Sequence, residues 1–381
     1  MIKHRINRKL FIIIIMLVIF GLFMVYSASN VVALYRYDDK AYFLKRQLIF
    51  AIIGIAIMIL FIHIDIRKIY KATTYIYVAA LIMLILVLIP GIGVVRGGAR
   101  SWIGFGSFSI QPAEFMKLAI ILLIAKYLSN HHKDLKKPIE FIKMLILIVS
   151  AFGLIMLQPD FGTGLVLVVS CILLLFNAGV PLKYFLILLG LGIIGIIALI
   201  ASAPYRLERI FAFLDPWSDP LGSGFQSIQS LFAIAPSGLF GLGYNNSMQK
   251  HFFLPEPQND FIFAIICEEF GLIGGLLVIG VFLYIVIEAV KISLHVDNKY
   301  LKFLSLGIGL SLFTQVFINI GVVIGLLPVT GITLPLISYG GSSLVITLFS
   351  LGIIAQKGDY DEIYTISKQH SRTHLSLFRN R

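Results

Sequence analysis

The sequence predicts an all-α polytopic membrane protein. It has about ten transmembrane helices, both termini on the inner side, and one large extracytoplasmic loop between the seventh and eighth spans. Three observations support this. First, 59% of the 381 residues are hydrophobic and only 13% are charged, with a mean hydropathy of +0.95; soluble domains carry about 25% charged residues. Second, apolar stretches of bilayer-crossing length recur at 10–28, 47–64, 72–92, 112–128, 142–159, 162–180, 183–203, 260–290, 303–326 and 339–356. Third, with the N-terminus inside, the inner segments together with the inner ends of their spans hold 21 Lys or Arg and the outer ones 9, Lys117 lying within the outer half of a span. That asymmetry is the positive-inside bias. The net charge of +12 is therefore a topology signal and not a nucleic-acid surface.

The elements follow in order. The first span trails Lys3, Arg5, Arg8 and Lys9 and is long, with no small-residue cleavage site after it, so it reads as a retained span. Cys171 and Cys267 both fall in apolar runs and imply no disulfide framework. Pro112 in "QPAEFMKLA" suits the first turn of the fourth span. Residues 303–356 contain no charge and are too many for one helix. Pro328 and Pro335, with Gly325 and Gly331, break the run in two, and "LPLISYGGSS" (334–343) reads as an irregular re-entry. Such backbone is tolerated at membrane depth only within protein or beside a cavity. The loop at about 204–259 is long, wet and partly apolar, suited to walling a site for an amphiphile. A tail follows at about 357–381. No repeat or soluble unit stands out, so 1–381 reads as a single integral membrane domain.

Charge inside or beside apolar spans marks candidate chemistry. Asp260 has two readings. It caps the following helix together with Asn259, or it is a general base at the membrane–water boundary, its pKa raised by Phe252, Phe253 and Phe261. Glu268 lies two turns deeper, within roughly 80° of Asp260 on a helix. Glu268 and Glu269 either join that cavity or form a buried ion pair. Glu114 and Lys117, three apart, share a helix face; they neutralise each other, or Lys117 holds an anionic head group. Arg96, Arg100, Arg206 and Arg209 lie on the outer side, against the usual bias. Each is an interfacial anchor or a phosphate ligand. No zinc spacing, Walker loop, GxSxG or dinucleotide fingerprint is present.

Seven stretches then carry a resemblance in chain order: "MVYSAS", "GARSWIGFGSFSIQPAEFMKLA", "LQPDFGTG", "APYRLERIFAFLDPWSDPLGSGFQSIQSL", "GLFGLG", "FLPEPQNDFIFAII" and "INIGVVIGLLPVTGITLPLISYGGSSL". Together they resemble the shape, elongation, division and sporulation (SEDS) proteins over nearly the whole chain. The FtsW/SpoVE branch is the most similar, SpoVE-like members above all, and RodA less so. The resemblance implies a ten-span peptidoglycan glycosyltransferase of the bacterial plasma membrane, at the septum or forespore membrane, polymerising lipid II with inversion. The resemblance also implies that Asp260 is the acidic residue essential for polymerisation, and Glu256 matches the Glu of the same stretch. Glu114 and Lys117 match the family's charged pair, and Arg100 the Arg of "GAR". The role expected of Asp260 is to take the acceptor's proton. Arg100, Lys117, Arg206, Arg209 or Lys250, with or without a divalent cation such as Mg2+ or Mn2+, stabilise the departing pyrophosphate. Glu256, Glu268 and Glu269 order that network. The implied partners are a single-span class B penicillin-binding transpeptidase, other divisome or sporulation proteins, and the bilayer. Asn259 stands where Thr is usual, Phe161 where Leu is usual, and Cys267 where Gly or Ser is usual. Two alternatives stay open: a lipid II flippase, or a non-catalytic scaffold for the transpeptidase.

Overall fold

The structure, a computed structural model, describes residues 7–96, 99–105, 108–131, 134–201 and 213–356. Ten long helices follow the order of the ten expected spans: α1 (Arg8–Tyr37), α2 (Tyr42–Ile62), α3 (Ile66–Leu86), α4 (Pro112–His131), α5 (Pro138–Met156), α6 (Phe161–Asn177), α7 (Leu182–Ala201), α9 (Ile262–His295), α10 (Lys299–Val323) and α11 (Gly341–Ile354). By length and composition six of them (α1, α2, α3, α5, α9 and α10) can cross a membrane. Helix α4 is set apart by its charges Glu114, Lys117 and Lys126, and α6 and α11 by their 17 and 14 residues.

Local chemistry sets the helix ends. Asn7 caps α1 by accepting the Leu10 N–H at 3.3 Å, and Asp38 stops it in the left-handed region at φ 54°. Asp65, Asp160 and Asn298 cap α3, α6 and α10 in the same way. Helices α4 and α10 form the centre, with Met116, Ile120, Leu122, Leu304, Leu312 and Val323 buried. The outer helices expose Met16, Ile52, Ile82, Ile146, Leu189 and Leu277, which is the expected state of a helix whose solvent is hydrocarbon. Helices α2 and α11 touch through glycine: a Cβ on Gly352 would stand 2.8 Å from the Met58 carbonyl oxygen.

Three features depart from the sequence reading. The chain is not wholly α: residues 93–110 form an antiparallel sheet of β1 (Gly93–Arg96), β2 (Ala99–Phe105) and β3 (Phe108–Ile110). Its register pairs Arg96 with Ala99 and Phe105 with Phe108. The sequence between those pairs is Gly-Gly and Gly-Ser, the composition of two-residue hairpin connections. Second, the outer loop contains a helix, α8 (Phe225–Ile234), which buries Ile228, Ser230 and Ala233 and donates from the Ser230 hydroxyl to the Val323 carbonyl at 2.7 Å.

Third, α9 is broken at Gly271 (φ 67°, ψ −165°). The "GLFGLG" stretch runs into this break. Leu242 and Gly243 donate to the carbonyls of Glu268 and Glu269 at 2.9 Å each, and Leu272 donates back to Gly238 at 3.0 Å. The two backbones meet at glycine. A Cβ on Gly241 would sit 2.4 Å from the Glu269 carbonyl and one on Gly271 2.4 Å from the Leu239 carbonyl, and both residues have positive φ. Gly241→Ala should therefore cost at least about 3 kcal/mol. Thermal unfolding of the detergent-purified protein checks this; an unshifted transition would mean the crossing is not close-packed.

Candidate functional site

The connections at 38–41, 87–111, 157–160, 213–261 and 324–340 share one end of the bundle, which the charge bias assigns to the outer side. Asp260 lies there, two residues before α9. The capping reading fails. Phe261 is the N-cap, with no side-chain capping bond, and the Asn259 amide donates to Glu256 at 2.7 Å instead. The Asp260 carboxyl is partly buried, and that burial pushes its pKa up to about 6. Its own backbone N–H opposes the shift and the negative Glu256 adds to it. A carboxylate in that range is poised to take a proton near neutral pH.

The surrounding main chain is held by buried amides. Asn319 of α10 is 1% exposed and donates to the carbonyls of Asp260 and Ile332, both at 2.7 Å. Four residues earlier, Gln315 donates to Thr333 at 3.0 Å. The Tyr339 N–H donates to Gln258 at 2.8 Å. From α2, Gln47 donates to Ser338 at 2.9 Å and accepts from Gly340 at 3.2 Å. The re-entry at 330–340 is irregular backbone enclosed in protein, as the sequence requires. Beside it, Gln111 donates to Asp160 at 2.7 Å and to the Ser342 hydroxyl at 3.1 Å. Burial raises the Asp160 carboxyl, opposed by its bonds from Thr163 and Gln111.

The other expected residues fall into separate groups. Lys117 sits 2.8 Å from Glu114 and donates to Gln315 at 2.6 Å, all three buried; the neutralising reading describes this geometry. Glu268 accepts from the Ser247 hydroxyl and from the N–H groups of Met248 (2.8 Å) and Gln249 (3.3 Å). Glu269, fully buried, accepts from Ser27 and lies 3.7 Å from Lys250. Lys250 also donates to the Asn245 carbonyl and side chain at 2.6 Å each. These two acids thus anchor the 245–250 segment to α1 and α9, Glu269 through its Oε1. Arg100 is half-buried on β2, its Cγ against Gly93. Arg206 and Arg209 lie outside the described residues, as does the side chain of Arg96. Among the described residues, no three His, Cys, Asp or Glu converge as a metal site.

The model of the FtsW/RodA/SpoVE family, described as cell cycle protein, matches residues 7–361. The chain belongs to this family. Stage V sporulation protein E of Bacillus subtilis is 49% identical over 352 residues, which cover 92% of this chain and 96% of that protein. The probable peptidoglycan glycosyltransferase FtsW of Geobacter metallireducens is 40% identical, covering 92% and 94%. A chain from a solved peptidoglycan synthase complex, described as coordinating polymerization and crosslinking, superposes with a TM-score of 0.77 at 30% identity, covering 92% and 96%. The rod shape determining protein RodA of Thermus thermophilus superposes with a TM-score of 0.68 at 26% identity, covering 92% and 95%. Within this FtsW/RodA/SpoVE frame, Gln47, Gln111, Gln315 and Asn319 are the residues that sequence reasoning missed. All four are uncharged, so a search for charge in spans passes over them; for Gln315 and Asn319 an amide inside an apolar run was the available signal.

Proposed function

We propose that this chain is a peptidoglycan glycosyltransferase that polymerises lipid II at the outer face of the plasma membrane, with Asp260 as general base. The observation that carries the base assignment is an uncapped, partly buried carboxyl with a pKa near 6 at the outer end of the bundle. Its ionised form removes the proton from the 4-hydroxyl of the acceptor's GlcNAc. The oxygen attacks C1 of the donor's MurNAc, the bond from C1 to the pyrophosphate oxygen breaks, and undecaprenyl pyrophosphate leaves with the electron pair. Attack opposite the leaving group inverts the anomeric centre.

The leaving group needs positive charge. Lys117 and Lys250 are engaged by Glu114, Gln315, Asn245 and Glu269. Arg100 forms no ion pair among the described residues, which favours it as a pyrophosphate ligand. Arg100→Ala should lower turnover about 10–100-fold, the worth of one charge-assisted bond, while leaving thermal stability within about 0.5 kcal/mol. Unchanged turnover would remove Arg100 from the site.

The partner is a single-span class B transpeptidase, and the setting is the septum or forespore membrane during division or sporulation. The test is reconstitution of the full-length chain with labelled lipid II, with and without that transpeptidase, scoring glycan strands and lipid translocation in the same vesicles. Strand growth without cross-leaflet movement is expected. Translocation without strands would favour a flippase, and strands only from the partner a scaffold.

A further inference from the structure

The buried amide of Asn319 has no role in the reaction outlined above, yet it is bonded to the residue proposed as the base. Its Nδ2 donates two bonds of 2.7 Å, one to the Asp260 carbonyl and one to the Ile332 carbonyl. The side chain is 1% exposed, and its Oδ1 is buried without a partner among the described residues. An amide at the end of a long helix, both N–H groups spent on two stretches of main chain that otherwise meet through the Tyr339 N–H and the Gln258 carbonyl, is a clamp. One jaw is Asp260, two residues before α9, the other the re-entry at 330–340. The clamp extends further. Gln315, one turn earlier on the same face of α10, donates to Thr333 and accepts from Lys117. Glu114, Lys117, Gln315, Thr333, Ile332, Asn319 and Asp260 are thus joined by hydrogen bonds, an ion pair or a single peptide link. The position of Asp260 is set from inside the bundle, while its immediate chain neighbour Asn259 donates from its side chain and its N–H to the exposed Glu256.

We infer that Asn319 is a positioning residue for the transferase reaction: it fixes the main chain of Asp260 against the re-entry, so that the carboxyl stands where an acceptor hydroxyl reaches it. The inference rests on the glycosyltransferase reading. Asn319→Asp keeps the size and replaces the double donor with an acceptor, so both bonds are lost. A misplacement of about 1 Å at a reacting group can cost about 100-fold. Asn319→Asp and Asn319→Ala should each lower kcat about 10–100-fold with KM within about twofold. Asn319→Ser, which still donates one bond, should fall between them and the parent. A loosened Asp260 is better hydrated, so the acidic limb of the pH–rate profile should move down in Asn319→Ala, which brings no charge of its own. Glu256 is the charged neighbour whose field reaches Asp260, and it stays in place in all variants.

The control is Gln47→Leu, which frees the re-entry from α2 without touching Asp260. It should lower the unfolding temperature but leave the acidic limb unmoved. The full-length protein is assayed in vesicles with labelled lipid II and the transpeptidase. A second readout keeps the inference open to refutation if Asn319→Asp folds poorly: the infrared carboxylic C=O stretch that Asp260→Asn deletes should titrate at lower pH in Asn319→Ser than in the parent. The inference is overturned if the loss falls on KM, if the limb and the stretch stay put, or if Gln47→Leu moves them equally. Absence of strands from the parent chain would instead refute the glycosyltransferase reading, and the infrared result would still decide the clamp.

Discussion

Asp260→Asn should lose at least about 100-fold of its glycan-polymerising rate, the lower range of what a positioned general base contributes, and should gain stability at neutral pH. The two effects share a cause. In the folded chain the carboxyl titrates at about 6, against an ordinary 3.8, so the folded state holds the proton more tightly than the unfolded one. The neutral form is therefore favoured by folding. The ionised form carries a cost that is absent below the ordinary pKa and fully present above the folded one. Two pKa units correspond to about 3 kcal/mol; with partial solvent screening, about 1–3 kcal/mol is expected. Asn is neutral and nearly isosteric, so it escapes that cost. The variant should unfold at higher temperature than the parent at pH near 8, and the gap should close as the pH falls toward 4. A structural Asp would behave in the opposite way: its replacement would lower stability and spare the rate.

Lys250→Ala should be the most damaging single change outside the site. It strips the fully buried Glu269 of its only ionic partner among the described residues, leaving Ser27 and the Ser247 N–H. An uncompensated buried charge costs about 3–5 kcal/mol. Asn245 also loses two bonds and is left with the 2.6 Å bond it accepts from the Asn30 amide on α1. The 245–250 segment would then be loosened from Glu269, upstream of Asp260, with Glu268 still holding Ser247, Met248 and Gln249 to α9. The double variant Lys250→Met with Glu269→Leu should recover a large part of the loss, since apolar replacement of both partners removes the orphan charge. Unfolding of the two singles and the double completes the cycle. A single variant within about 1 kcal/mol of the parent, or strict additivity, would mean that the pair does not couple.

How far these features were legible in the sequence depends on what encodes them. The spans are written as long apolar runs and the topology as a Lys/Arg bias, so the order of the ten helices follows from composition. Asp260 is legible because a carboxylate is rare at the mouth of an apolar run. Its freedom from capping is not, since both Asn259 and Asp260 have the chemistry to cap; the structure starts the helix one residue later than the cap requires. The break at Gly271 is hidden because Gly is frequent in membrane helices, and only the crossing with Gly241 gives it a purpose. Glu268 and Glu269 read as site acids by their depth, whereas their carboxylates turn to the 247–249 main chain and to Lys250. The partners of buried polar groups are set by long-range packing, which no local pattern records. The sheet at 93–110 was encoded by its hairpin signals, which compete poorly with a chain-wide expectation of helix.

The central claim is that the Asp260 carboxylate takes the acceptor's proton, and the pH dependence of single-turnover lipid II polymerisation tests it most directly. The account predicts a rate that falls about tenfold per pH unit below an apparent pKa of about 6, with that limb absent from the residual activity of Asp260→Asn. A limb that survives unchanged in Asp260→Asn, or a parent rate that is flat from about pH 5 to about pH 8, would contradict it.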